Sequence, residues 1–447
     1  MPKPLWGEDA ATRTRLFEPY RLPITAPSRA LADTCCALIE AEEEKHRLRK
    51  RARRPADRNT FRSLVAALVA DLAYRWLETG GEEVADGDGV WLPAGLRLSL
   101  SRDALGRRSA RYVPSWLGVT LRDIIAVMAR PDVALASLEV GAWGTDHGKG
   151  TLSIIRPGQA LIALLEEAAF PGIGFHDLGL CPTAEVVLLR APDASFWDRG
   201  KLVDYTDDAE TDRLRDEVRS INTWLSRADI TVLREHPGAG RVDPSLRRMR
   251  RCFNRSTFQS GGRLFGGFWQ PMTREERKAI RLDGEETITL DYGQIGPRIL
   301  YGMAGQVPPA GDLYSLPMLD GQHRDGVKKL LAAASFYEGN GKPMKRPPDG
   351  CPELFPEGLT IRAMLTAIEL AHPGLRPLLY RGLGHQAQRT ESDILVAVLL
   401  KLQAMGITAL PIHDAVIVPR STADAVEVVM RETFREITRL PIQVKRE

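Results

Sequence analysis

The stretch T-I-T-L-D-Y-G-Q-I-G-P-R-I-L-Y, residues Thr287 to Tyr301, decides how the second half of the chain is read. Ile288 and Leu290 alternate with Thr287, Thr289 and Asp291, the period-two pattern of a strand with one apolar face. Asp291 therefore ends on the opposite face, where the chain turns. A carboxylate at a strand end commonly caps the segment that follows. Its partners elsewhere in the sequence determine whether it does more.

One partner stands in P-I-H-D-A-V-I-V-P, Pro411 to Pro419, where apolar runs flank only His413 and Asp414. Two short strands with a two-residue polar connection predict a hairpin with its carboxylate at the tip. If this hairpin and the first strand are neighbours in one sheet, Asp291 and Asp414 converge, and two close carboxylates repel unless divalent cations bridge them. Two Mg2+ ions about 3.5–4 Å apart are the clamp for in-line phosphoryl transfer. Between the aspartates lies H-R-D-G-V-K-K-L-L-A-A-A-S-F-Y, in which Arg324 and Lys328 are four apart on a predicted helix and share a face. Such a pair suits a triphosphate. Taken alone it reads as a solvated helix face, and only its place in a series says otherwise.

Taken in series, these segments resemble the palm and fingers of family A DNA polymerases and of their relatives, the single-subunit phage-type RNA polymerases. D-Y-G-Q-I-G-P-R, Asp291 to Arg298, is similar to the family's D-Y-S-Q-I-E-L-R; Arg324 and Lys328 match R-x-x-x-K, although Ala332 stands where an aromatic is expected. His413 and Asp414 match H-D followed by an acid, but Ala415 follows here. G-G-R-L-F-G-G-F-W-Q, Gly261 to Gln270, and Q-R-T-E-S-D, Gln388 to Asp393, are similar to two further family segments. The likeness runs from about Cys252 to the last residue and says nothing of the first 200 or so.

The resemblance implies an α+β fold, with a right-hand palm of antiparallel sheet and helices plus fingers over 261–447. It implies that Asp291, Asp414 and the Tyr292 carbonyl hold two Mg2+ ions, which Mn2+ can replace. Arg324 and Lys328 would grip the nucleoside triphosphate, Lys328 protonating the pyrophosphate, with Tyr292 and Gly296 beside the nucleotide. Arg263, Gln270, Gln388 and His413 would line the primer terminus and the minor groove. Gly296 replaces a glutamate that packs under the incoming sugar in the DNA polymerases, so tolerance of ribonucleotides is expected. The partners are then a DNA template and primer and nucleoside triphosphates. Two other readings stay open: a non-catalytic nucleic-acid-binding protein with a degenerate palm, and an enzyme like a primase or single-subunit RNA polymerase.

A chain of 447 residues, 43% hydrophobic and 27% charged, has length for two or three domains. Residues 1–105 predict a helical N-terminal region with Leu64, Leu68, Leu72 and Trp76 on one stripe. Over 106–200 a helix, a strand, the tip G-T-D-H-G-K-G at 144–150 and a second strand suggest a winged helix, its Lys149 against a duplex backbone. A helical, thumb-like connector is expected over 201–260, including a helix from Glu210 to Arg227. Asp208-Ala209-Glu210, the one D-x-E candidate for a proofreading exonuclease, reads as that helix's start, and no exonuclease is expected.

Net charge is only +3, with basic clusters at Lys45 to Arg54 and Arg247 to Arg251. Five cysteines without metal or disulfide spacing, no apolar run of membrane length and no secretion-signal core set the expectation of a cytoplasmic protein without a membrane partner.

Overall fold

A computed structural model of the chain describes residues 14–85, 89–102, 105, 111–141, 151–166, 172–192, 200–233, 244, 246–319 and 322–447. It is a mixed α/β protein whose strands pair mainly antiparallel, divided into two compact units.

The first unit comprises residues up to Glu185 with two short returns at Leu233–Leu246 and Pro271–Glu276. Its centre is the pair α1 (Ala26–Lys45) and α2 (Pro55–Glu78). Leu64, Leu68, Leu72 and Trp76 are buried, but so is every residue from Ala67 to Trp76. α2 is thus enclosed on all sides rather than along one stripe, because small residues between the leucines let neighbours approach. Enclosure extends to charge: Asp71 is fully buried and accepts from Arg15 at 2.7 Å, Arg21 at 2.9 Å and the Glu18 amide at 2.8 Å. With three donors on it, the carboxylate is compensated where it sits.

On these helices, among the described residues, packs a four-stranded sheet of order β1-β2-β4-β3, formed by β1 (Thr14–Leu16), β2 (Gly95–Leu98), β3 (Ala136–Glu139) and β4 (Ser153–Pro157). α3 (Thr120–Met128) precedes β3 and α4 (Gln159–Glu166) follows β4, the helix-strand-strand-helix string anticipated from sequence. The hairpin is part of that larger sheet. β4 is buried at all five positions and pairs with β2 as well as β3, and one core joins Leu98, Leu105, Leu117, Ile125 and Ile155 across the line drawn at residue 105. The tip at 144–150, with Lys149, lies outside the described residues.

The second unit holds the segment quoted at the outset. Its helix α5 (Ala209–Arg227) starts at Asp208, whose carboxylate accepts from the Thr211 amide as an N-cap. β5 (Val187–Leu189), β7 (Arg250–Phe253) and β8 (Gly261–Phe265) form a small sheet of order β8-β7-β5. β6 (Ile230–Val232), β9 (Ile280–Leu282), β10 (Glu285–Tyr292), β11 (Leu410–Ile412), β12 (Ala415–Pro419) and β13 (Val444–Arg446) form, among the described residues, a six-stranded sheet. Its order is β6-β9-β10-β12-β11, with β13 also on β10.

The basic run at Arg247–Arg251 is partly internal. Arg247 donates to the carbonyls of Leu225, Ala228 and Ile230, satisfying the end of α5, while Arg251 is fully buried against Asp393 and Glu217. In the other basic run, Lys45 pairs with Asp132 and Arg53 with Glu43. None of the five cysteines is joined in a disulfide. Among the described residues no helix is long and apolar enough to cross a membrane.

Candidate active site

β10 has two faces with different duties. Leu290 and Tyr292 point into the core, where the Tyr292 hydroxyl donates to the Met430 carbonyl at 2.7 Å and its ring meets Phe434 of α10 (Ala423–Thr438). Asp291 faces the other way. Its register partner on β12 is Ala415, next to Asp414, so the two aspartates meet across one pair of strands, where paired Cα atoms stand about 4.5–5.5 Å apart. Between β11 and β12 only His413 and Asp414 make the turn, and His413 takes φ 55°. A left-handed histidine costs about 1 kcal/mol or more, and the two paired strands hold it there.

On the opposite edge of β10, β13 sets Lys445 against Asp291 and Glu447 against Thr289. Partial burial pushes the Asp291 carboxyl up to about 7, reinforced by the negative charge of Asp414 and then Glu447; Lys328 and Lys445 pull the other way. Hard oxygen donors that repel one another in this manner fit a divalent cation. A carboxyl titrating near 7 competes with metal for the same oxygens, since below 7 it carries a proton. Mg2+ or Mn2+ affinity should therefore fall about tenfold per pH unit below 7 and level off above about 8. Calorimetric titration from pH 5.5 to 8.5 checks this, and a flat affinity would exclude Asp291 as a ligand.

The cations come from other elements. α7 (Arg324–Phe336) carries Arg324 and Lys328, and α9 (Gly384–Ala404) crosses it so closely that a Cβ at Gly384 would lie 2.8 Å from Ser335 Oγ. Arg324 Nε donates to Asp312 at 2.6 Å, and its guanidinium lies 4.9 Å from the Tyr314 ring. Burial works to raise the Asp312 carboxyl, but Arg324 and the Tyr314 amide outweigh it and hold it below the usual range. Arg263, on β8, is bound by Glu391 of α9 at 2.6 Å. Burial raises the Glu391 carboxyl, with Arg263 opposing and Asp414 adding to the rise. His413 is held below its ordinary value by burial and by the charge of Arg263, so it is neutral at pH 7.

Asp291, Asp414, Tyr292, Gly296, Arg324, Lys328, Arg263, Gln388 and His413 all line one cleft of about 530 Å³, a volume suited to a nucleotide-sized ligand. Gln270 is not in its lining. The Gln270 amide donates to the carbonyls of Leu264 and Pro411 and accepts from the Gly266 amide, so both of its donors are on backbone. The sequence reading missed Asp312, Glu391, Lys445 and Glu447. Glu391 lies inside a quoted segment, yet nothing local to Q-R-T-E-S-D signals that it faces Arg263 from 128 positions away.

Elsewhere, among the described residues, Glu42, His46 and Asp132 bring ligand atoms within 4.8 Å of one another. Arg130 and Lys45 already occupy those carboxylates, which leaves the group an ion-pair network.

No protein-family model matches the chain, and no curated protein matches its sequence. Among solved structures it is similar to the POL domain of Pol1 from M. smegmatis, solved in complex with DNA primer-template and dNTP, at 14% identity and a TM-score of 0.29. The match covers 53% of this chain and 50% of that one, so the chain spans about half the length of that protein. A likeness so distant speaks for neither fold nor activity.

Proposed function

We propose that the cleft is the centre of a template-directed nucleotidyltransferase, a DNA polymerase of the family A kind without a proofreading exonuclease, serving replication, repair or priming for a mobile element or phage. The carrying observation is that Asp291 and Asp414, 123 positions apart in sequence, meet on one sheet face in the cleft that also receives Lys328. Asp291, Asp414 and the Tyr292 carbonyl are the groups that would hold two Mg2+ or Mn2+ ions. Such ions supply the positive charge that two-metal phosphoryl transfer needs at the attacking and leaving oxygens.

The chain's own residues do the rest. Lys328 makes no hydrogen bond or ion pair among the described residues, so its ammonium is available to a triphosphate and to the oxygen of departing pyrophosphate. In the reaction the primer 3′-hydroxyl attacks the α-phosphorus and the bond to pyrophosphate breaks. In this reading Arg263, Gln388 and His413, which line the same cleft, would test the primer end and minor groove for shape. Lys328→Ala should raise KM and lower kcat together, about a hundredfold in kcat/KM or about 2.7 kcal/mol; an unchanged rate would place the triphosphate elsewhere.

Extension of a labelled primer with and without Mg2+ tests the reading directly. Ala415, standing where the resembling polymerases carry an acid, favours the second reading, a nucleic-acid-binding protein that no longer catalyses. Primer binding without incorporation would select it. The segment 106–200, with α3 and the β3–β4 hairpin, is proposed as a duplex-binding part of the same protein.

A further inference from the structure

We propose that Lys445 is a third phosphate-binding cation of this cleft, taking the terminal phosphate of a nucleoside triphosphate; the proposal rests on the nucleotidyltransferase reading. Four cationic side chains line the cleft, and they are not equivalent. Arg263 is bound to Glu391 and Arg324 to Asp312. The ammonium groups of Lys328 and Lys445 make no hydrogen bond or ion pair among the described residues, although carboxylates stand near them. An uncommitted ammonium in an acid-lined cleft is a cation held for a ligand.

Register fixes where Lys445 stands. β13 pairs antiparallel with β10, setting Lys445 opposite Asp291, and paired residues project to the same face of a sheet, here the cleft face. Its stem lies over the turn after β10: a Cβ built on Gly293 would lie 3.7 Å from Lys445 Cε. Its charge reaches both Asp291 and Asp312, the partner of Arg324, whereas the cations beside His413 are Arg263 and Arg277, and the one beside Glu391 is Arg263. Lys445 therefore belongs to the α7 side of the cleft, with Arg324 and Lys328, and not to the side proposed for the primer. Of the phosphates in a chain whose reacting end sits at Asp291 and Asp414, the terminal one lies farthest toward that side.

Direct binding of a non-hydrolysable nucleoside triphosphate, and of the matching monophosphate, to the full chain in Mg2+ tests the proposal. Lys445→Ala should weaken triphosphate binding about tenfold and leave monophosphate binding unchanged, while Lys445→Arg stays within about threefold of the unaltered protein. In primer extension above about pH 8, where Asp291 is ionised in both proteins, the alanine variant should raise KM with kcat preserved, the mark of binding shared by ground and transition states. Equal triphosphate affinity in all three proteins, or equal losses for mono- and triphosphate, would overturn the assignment. If the unaltered protein incorporates nucleotides and Lys445→Ala does so with the same KM, only this proposal falls. If the unaltered protein neither binds triphosphate nor extends a primer, the nucleotidyltransferase reading falls and this proposal with it.

Discussion

Asp291→Asn and Asp414→Asn are each expected to reduce nucleotide incorporation by about a thousandfold or more, while the folded protein and its affinity for nucleic acid persist. An amide keeps the shape of the carboxylate and loses the charge on which divalent cations depend. The fold does not rely on either group, for neither carboxylate makes a hydrogen bond or ion pair among the described residues; what they do is repel each other. The Asp291 variant carries a second signature. Its carboxyl titrates near 7 in the folded chain and near 3.8 when unfolded, so between those values the native state holds a proton that the unfolded state has lost. Stability from that proton is full below 3.8 and disappears as pH rises through 7. Without metal, Asp291→Asn should therefore be more stable than the unaltered protein at pH 8 by about 1 kcal/mol, a figure reduced for the group's partial exposure, and no more stable at pH 4. Single-turnover extension and thermal melts at the two pH values measure both effects. Near-normal incorporation by either variant would end the metal assignment.

The second large effect concerns the sugar. A Cβ built at Gly296 meets nothing within 4 Å, so the cleft is open at the position where the resembling DNA polymerases carry a glutamate. Ala332, also in the lining, leaves a second gap. Tyr292 cannot swing in to fill either, because its hydroxyl is bound to Met430 in the core. Since the 2′-hydroxyl distinguishes ribose from deoxyribose, and collision with it needs a side chain, ribonucleotides should be used within about tenfold of deoxynucleotides. Gly296→Glu should impose about a hundredfold or greater bias against ribonucleotides with deoxynucleotide use kept within a fewfold. Glutamate in the first turn of α6 (Ile295–Met303) is favourable for the helix, so folding is not the obstacle. Parallel extension of one primer with each nucleotide decides it: a preference of about a thousandfold for deoxynucleotides in the unaltered protein would mean that another group already closes the gap.

Much of this site was legible because its elements are short and strongly patterned. Alternation marked β10, two apolar runs around His413 and Asp414 marked the hairpin, and a four-residue spacing placed Arg324 and Lys328 together. The meeting of Asp291 with Asp414 was a conditional, since local pattern says nothing about which strands pair. The residues that went unseen take their roles from partners distant in sequence. Asp312 sits in a loop without periodicity and matters through Arg324; Lys445 lies on a three-residue strand whose register alone brings it to the cleft. Gln270 suited the resembling motif, yet it is not in the cleft lining, and its amide donates to the carbonyls of Leu264 and Pro411. In α2 the helical period was right and the environment was not, because burial on every side comes from a whole unit assembling around it.

The Pro411 carbonyl, midway along β11, accepts from the Trp269 indole at 2.8 Å and from Gln270 at 3.3 Å, and Trp269 is fully buried. The segment running on from Arg263 is thereby bolted to the hairpin that ends in Asp414. In mechanical terms the arginine and the aspartate share one stiff bracket, so their spacing is a property of the empty protein and not something a ligand has to create. Catalysis tolerates displacements of only about 1 Å, and a stiffness of that order comes to this cleft from a buried tryptophan that is not in its lining.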